Sequence, residues 1–310
     1  VGIALAVMDG SDPHALKALL DWQAELGADE PIGDVPVDCY ALPDKLGKPD
    51  RPAPEVKSVA AAAVARPAKP DAGRFVDAAR AAAESAADLA ELKAAGLDYA
   101  LRLADDSLIL GHRLTEWTSN GPFLEEDIAL SNVALDYIGR ARMYYGYASE
   151  LSADGKTEDD FAYLRDEREF RNLLINELPR GDFAYSTVRQ LLIDVFNALY
   201  LPKLMQSNDK TLAAIAAKGI KETQYHLRRS RDWTLRLGDG TEESHRRMQK
   251  AIDSLWGYTH ELFELDDLEQ QLVDAGIAVD SSQLRDSWLA QVESILDEAT
   301  LTRPEDDWAV

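Results

Sequence analysis

Residues 97–151 constrain the fold of this chain more than any other stretch. They read LDYALRLADDSLILGHRLTEWTSNGPFLEEDIALSNVALDYIGRARMYYGYASEL, two long helical patterns on either side of an Asn120-Gly121-Pro122 break. In the first, Leu97, Leu101, Ala104 and Leu108 recur at three- and four-residue spacing, which stacks them on one helix face. The second is predicted to run from about Pro122 to Leu151, with Leu124, Ile128, Leu135 and Ile138 as its inward stripe. Two helices joined by so short a turn lie side by side and need further helices to cover them.

The rest of the chain supplies those helices. Residues 72–95 are Ala-rich and strongly helical by propensity, with an expected end near Gly96. A third pattern starts at Thr157, where Glu158 and Asp160 suit a first turn, and stops at Leu178-Pro179-Arg180-Gly181. Helices are then expected over 182–206, with Pro202 kinking or ending the first, over 209–237 and over 242–265, and shorter ones over 268–275 and 281–301. Helices of that length with short connections favour a bundle: the fold class is all-α over residues 72–310.

The N-terminal part differs. Residues 1–47 combine an apolar strand-like run, a turn at Asp9-Gly10 and a helix opening at Pro13, and read as a small α/β extension. Residues 48–71 are rich in Pro, Ala and Lys without apolar periodicity, as a linker is. The balance of 33 basic against 56 acidic residues gives a net charge of −23. A field of that sign repels phosphate backbones and anionic headgroups, which argues against nucleic acid or a membrane surface as partner. Cys39 is the sole cysteine, so no intrachain disulfide or cysteine-based zinc site can form. A reducing, cytoplasmic setting is expected.

Helical bundles of this size can hold a carboxylate-bridged metal pair. Two helices then each supply a Glu and two others each supply Glu-x-x-His, because i, i+3 spacing turns carboxylate and imidazole toward one metal pair. The literal match here is Glu242-Glu243-Ser244-His245, but acidic residues at a helix start suit the macrodipole, and the structural reading is preferred. At the positions suited to such a motif, Asp136 is followed at i+3 by Gly139, which ligates nothing, and Glu222 by Tyr225. His226 comes one residue late, rotated about 100° around the helix. His112 and Glu116 share a face at i, i+4, and two ligands do not complete a site. Asp136, Gly139, Glu222 and Tyr225 are therefore degenerate, ligand-like positions, and neither a metal site nor a catalytic residue is assigned to the chain.

Three stretches carry a resemblance. LILGHRLTEWTSNGPFLEEDIALSNVALDYIGRAR, FAYLRDEREFRNLLINELPRGDFAYSTVRQ and LAAIAAKGIKETQYHLRRSRDWTLRLGDGTEESHRRMQKAIDSLW resemble the structural, non-catalytic subunits of the phenylacetyl-CoA ring 1,2-epoxidases, monooxygenases of aerobic phenylacetate catabolism. The resemblance runs from Leu97 to near the end of the chain. It implies a ferritin-like fold and a hetero-oligomer with a homologous catalytic subunit that holds the di-iron centre and binds the CoA ester. It further implies other subunits of the complex, among them a reductase delivering electrons from NADPH. Gly139 and Tyr225 agree with a non-catalytic member. Residues 1–96 have no counterpart in the resemblance. A CoA ester carries several phosphate charges, so a chain at −23 is a poor place to bind it and the substrate is expected on the partner.

Tyr137, Tyr144, Tyr145 and Tyr147 crowd eleven residues of one helix, and they are expected not all to point inward, which makes them candidates for the partner interface. Glu167 with Arg171, and Arg165 with Glu169, are spaced for i, i+4 pairs on a face that is either solvated or in contact with a subunit. Asp136 and Glu222, without metal, require neutralisation by Lys218, Lys221, an arginine or a tyrosine hydroxyl. Two other readings stay open: a stand-alone metal oxidase using Glu116, Asp136, Glu222 and His226 in irregular geometry, and a non-enzymatic helical interaction module.

Overall fold

The computed structural model describes residues 72–83 and 86–305. The expected α/β extension over 1–47 and linker over 48–71 lie outside the described residues. Among the described residues ten α-helices follow one another: α1 (Ala72–Ala82), α2 (Ala86–Thr115), α3 (Leu124–Leu151), α4 (Glu158–Tyr163), α5 (Leu174–Glu177), α6 (Phe183–Leu204), α7 (Lys210–Gly238), α8 (Glu242–Leu255), α9 (Asp267–Asp274) and α10 (Arg285–Glu298). Short 3₁₀ turns occupy Glu167–Glu169, Trp256–Phe263 and Ser281–Leu284. No strand occurs among the described residues, and none of their helices is long and apolar enough to cross a membrane.

The frame is a ferritin-like bundle of two helical hairpins, α2–α3 and α6–α7, joined by a long crossover through residues 152–182. α3 and α7 run antiparallel, since Glu126 pairs with Arg229 while Arg140 pairs with Glu222. Helix starts are set by side-chain caps: Asp182 accepts from the Tyr185 amide, Asp209 from the Thr211 and Leu212 amides, and Thr241 from the Ser244 amide. α8 and α10 close over α6 and α7, with the Trp288 ring in contact with both Trp256 and Phe263 and its indole donating to the Leu192 carbonyl at 2.9 Å.

Four expectations need correction. The break near Gly96 does not occur: α2 runs from Ala86 through Gly96 to Thr115. One helical glycine costs about 1 kcal/mol, less than its alanine- and leucine-rich flanks contribute. The third pattern is not one helix either. Thr157 and Asp160 form the expected capping box, but α4 ends after six residues. Beyond it, carboxylates of α2 accept amides that a helix would use internally: Asp105 from Arg171 N at 2.8 Å, and Asp106 from Leu173 N at 2.7 Å.

In consequence the expected i, i+4 pairs are absent. Arg165 donates to Asp105 and to the Glu169 carbonyl, not to its carboxylate. Arg171 approaches Asp98 at 3.9 Å rather than Glu167, and Glu169 caps the Asp166 amide at 2.7 Å.

The third correction concerns the stripe of α3. Leu124, Ile128 and Leu135 are 66%, 52% and 63% exposed, so the stripe points outward, and only Ile138 is partly covered. The fourth is its counterpart: Tyr137, Tyr144, Tyr145 and Tyr147 are all buried. Side chains turned into the chain's own core are not available to a partner. The residues facing inward from α3 are Leu130, Val133, Ala134, Ala141 and Ala148 together with these tyrosines. The small residues among them leave room for phenol rings beside the helix axis.

Candidate functional site

The ligand-like positions meet where α3 crosses α7. Asp136 Oδ2 lies 2.9 Å from His226 Nε2, and His226 stacks on the Tyr137 ring with centroids 5.3 Å apart. Burial pushes the His226 imidazole down to about 4, outweighing the pull of Asp136 in the other direction. The ring is therefore neutral near pH 7. Its Nδ1 has no hydrogen-bond partner, which the network satisfies best with the proton on Nε2, donated to Asp136. Glu222 lies 3.5 Å from the buried Arg140 guanidinium and 3.7 Å from Lys218 Nζ. Arg140 also donates to Thr223 Oγ1 and the Gly219 carbonyl. Gly219 makes that approach possible, because a Cβ there would sit 3.1 Å from Arg140 Nε.

The two remaining positions do not join this group. A Cβ on Gly139 would meet nothing within 4 Å, and Tyr225 is exposed, its ring edge-on to His226 at 6.1 Å. His112 and Glu116 are exposed and not brought together; Glu116 pairs with Arg113 at 2.6 Å. At α8, Glu243 holds Arg246 and Arg247, and His245 Nδ1 contacts the Gly238 carbonyl. Lys221 is exposed and takes no part in neutralising Asp136 or Glu222 among the described residues. These residues do not fit a di-iron pair: a guanidinium already stands beside Glu222, Asp136 is engaged by a neutral imidazole, and no three His, Cys, Asp or Glu side chains among the described residues converge as a ligand set.

A second set of interior carboxylates was not anticipated. Asp194 is fully buried on α6 and accepts from Tyr137, Gln190 and Ser230 at 3.2, 2.7 and 2.8 Å. Burial raises its carboxyl to about 7 in spite of those donors. Asp106 is likewise raised to about 7 by burial, against the Leu173 amide and Asn176. Asp105 accepts from Tyr145 at 2.6 Å and from Arg165, and Asp209 from Tyr147. Each tyrosine hydroxyl named here therefore serves a carboxylate of another helix. Asp194 carried a legible signal, a single acid inside the apolar run LLIDVFNALYL. Arg140 and the Asp105-Asp106 pair carried none, because their partners are 40 or more residues away.

Between α2, α3, α6 and the segment after α8 lies a cavity of about 350 Å³. Tyr144, whose phenol is pushed by burial up to about 12, lines its interior with Arg140 and Asn197. Its mouth bears Glu261, Glu264, Asp266 and Glu269 against Arg102 and Arg171. Arg102 is itself taken by Asp98 and Asp266. The mouth is thus net acidic and unsuited to a polyphosphate group.

Comparison with known proteins agrees with the architecture. The sequence pattern of a family described as phenylacetic acid catabolic protein matches residues 79–310. The chain is 49% identical over 208 residues to one of the subunits of the 1,2-phenylacetyl-CoA epoxidase of Escherichia coli (strain K12), an alignment covering 67% of this chain and 84% of that one.

Proposed function

The chain belongs to the phenylacetic acid catabolic protein family, and from that premise we propose that it is the structural, non-catalytic subunit of a multicomponent monooxygenase that epoxidises the ring of phenylacetyl-CoA. In this reading a homologous partner subunit holds the di-iron centre and binds the CoA ester, and a reductase supplies it with electrons from NADPH. The present chain scaffolds that partner in a cytoplasmic hetero-oligomer through its helical domain, residues 72–310.

The observation that carries the reading is the neutralised interior. Asp136 and Glu222, the carboxylates at ligand-like positions, are engaged by His226 and Arg140, while Gly139 offers no ligand and Tyr225 is exposed with its ring edge-on to His226. A guanidinium placed among carboxylates supplies the positive charge that a metal would otherwise bring, and does so in the folded apo-chain. The acidic mouth of the bundle cavity supports placing the CoA ester on the partner.

Iron and zinc content, by elemental analysis of the chain purified alone and of the chain co-expressed with the di-iron subunit, tests this. Iron is expected only in the complex. About two irons in the isolated chain would overturn the reading, because a bundle that carries the metal pair itself binds two.

A further inference from the structure

We propose that the outer face of α3 is the seat of a helix from the partner subunit, a helix with apolar side chains at alternating four- and three-residue spacing and carboxylates along one edge. This rests on the subunit reading above and adds which surface makes the contact. Leu124, Ile128, Ser131, Leu135 and Ile138 follow one another at spacings of 4, 3, 4 and 3. That is the repeat of a seam between two helices packed at a shallow angle, and over fifteen residues it is about 20 Å long. Among the described residues, Leu124, Ile128 and Leu135 are left more than half exposed, whereas Ser131 is partly covered, its hydroxyl 3.1 Å from that of Thr118, and Ile138 turns in against Gly111 of α2. Of nine exposed large hydrophobic side chains among the described residues, five lie here, namely Phe123, Leu124, Ile128 and Leu135 with Tyr225 of the adjoining α7. Among the described residues the apolar exposure is thus greatest on this face. Asn132 and Gly139 flank the seam, and the open space over Gly139 leaves room for close backbone approach.

Charge selects the occupant. A second copy of the chain brings another −23, which opposes self-association. The adjoining α7 exposes Lys218, Lys221 and Arg228, with Asp232 among them and Asp136 of α3, 38% exposed, beside Leu135; Lys218 is shared with Glu222 at 3.7 Å, and Arg228 lies over the Tyr225 ring. Glu125 stands at the other end, beside Leu124. On a molecule of net charge −23, three exposed basic side chains set among these few carboxylates are less acidic ground than the rest, which favours a helix whose own edge is acidic.

The test uses the full chain and the di-iron subunit of the epoxidase, co-expressed and then titrated as purified proteins. Ile128→Asp combined with Leu135→Asp is expected to weaken the complex at least 100-fold, a loss of the size that central apolar anchors give, while the variant keeps the melting temperature of the parent. Leu164→Asp, on a side chain 76% exposed at the end of α4, is expected to bind as the parent does. Lys221→Glu with Arg228→Glu is expected to slow association and to flatten its salt dependence. A parent complex that tolerates the double aspartate variant overturns the seam alone. A parent chain that never pairs with the di-iron subunit overturns the subunit reading as well. Light scattering that finds the isolated chain dimeric, and monomeric in the double variant, overturns the choice of an unlike subunit.

Discussion

The two faces of α3 invert the usual arrangement. Its inner face carries Tyr137, Tyr144, Tyr145, Tyr147 and Arg140, all buried, while its outer face shows Leu124, Ile128 and Leu135 to solvent. The inner face can be polar because most of its polar groups have partners elsewhere in the fold: Tyr145 on Asp105, which also holds Arg165 of the crossover, Tyr147 on Asp209, Tyr137 on Asp194, and Arg140 on Glu222. The outer face can be apolar without cost to the fold, because its side chains are equally hydrated in the unfolded chain. Polarity alone does not say which face of a helix is core; partners do. The inner face should therefore govern stability and the outer face association, and the two should separate under mutation.

The largest effect is expected at Asp105. Asp105→Ala leaves Arg165, nine-tenths buried, without its carboxylate and frees the Arg171 amide that holds the crossover to α2. Removing one member of a buried ion pair costs about 3–5 kcal/mol, read as a lower urea midpoint. A loss below about 1 kcal/mol would mean that water reaches Arg165 and that the interior is not sealed by its own pairs. Next comes Asp209→Ala, which removes the cap of α7 and the carboxylate that accepts from the Tyr147 hydroxyl, for about 2 kcal/mol. Asp209→Asn should recover part of it by keeping an acceptor for the Thr211 and Leu212 amides.

This contrast also explains how much was legible in the sequence. The helices α3, α6 and α7, the Asn120-Gly121-Pro122 turn, the Thr157 capping box and the Asp209 start of α7 rest on local periodicity and capping, and each is present, whereas the helix expected over 242–265 ends at Leu255 and gives way to a 3₁₀ segment over Trp256–Phe263. The extra break at Gly96 and the continuous helix after Thr157 were misread for opposite reasons. Local propensity carried α2 through the glycine, whereas distant carboxylates on α2 drew out the amides of residues 171 and 173. The orientation of α3 was misread because both of its faces have helical periodicity, one of leucines and one of tyrosines. The apolar stripe was assigned to the core, since single-chain reasoning has no place for a seam meant for another molecule. At the candidate site the spacing argument located Asp136, Glu222 and His226 but not Arg140, whose role depends on Gly219 leaving space for it.

A medium-sized effect should appear as a pH dependence. The Asp106 and Asp194 carboxyls are raised from 3.8 to about 7, so the native state binds more protons than the unfolded chain in that window. Their stabilising contribution is complete below 3.8 and is lost as pH rises toward 7. His226 is lowered from 6.5 to about 4, so its contribution is complete above 6.5 and is lost as pH falls toward 4. Between about pH 4 and 6.5 the two carboxyls oppose one imidazole, and each full proton of difference is worth about 1.4 kcal/mol per pH unit. Asp194→Asn removes one such proton. Relative to the parent, its urea stability should fall less steeply, by about 1.4 kcal/mol per unit, between pH 4.5 and 6.5. Parallel curves for parent and variant would place Asp194 among ordinary ionised carboxylates and remove the reason to call the interior dry.

The smallest effect on stability belongs to the outer face. Leu124→Ser or Leu135→Gln in the isolated chain should change the urea midpoint by the equivalent of less than about 0.5 kcal/mol, the range of surface substitutions away from caps and buried pairs. Leucine is the better helix former, which lowers the variants slightly, and little apolar area is uncovered because more than 60% of each side chain is already in water. A leucine held by the core would instead cost about 2–5 kcal/mol on truncation. If Leu135→Gln costs that much, the side chain is packed by the chain itself in solution, and the outer stripe of α3 loses its claim to be kept for a partner.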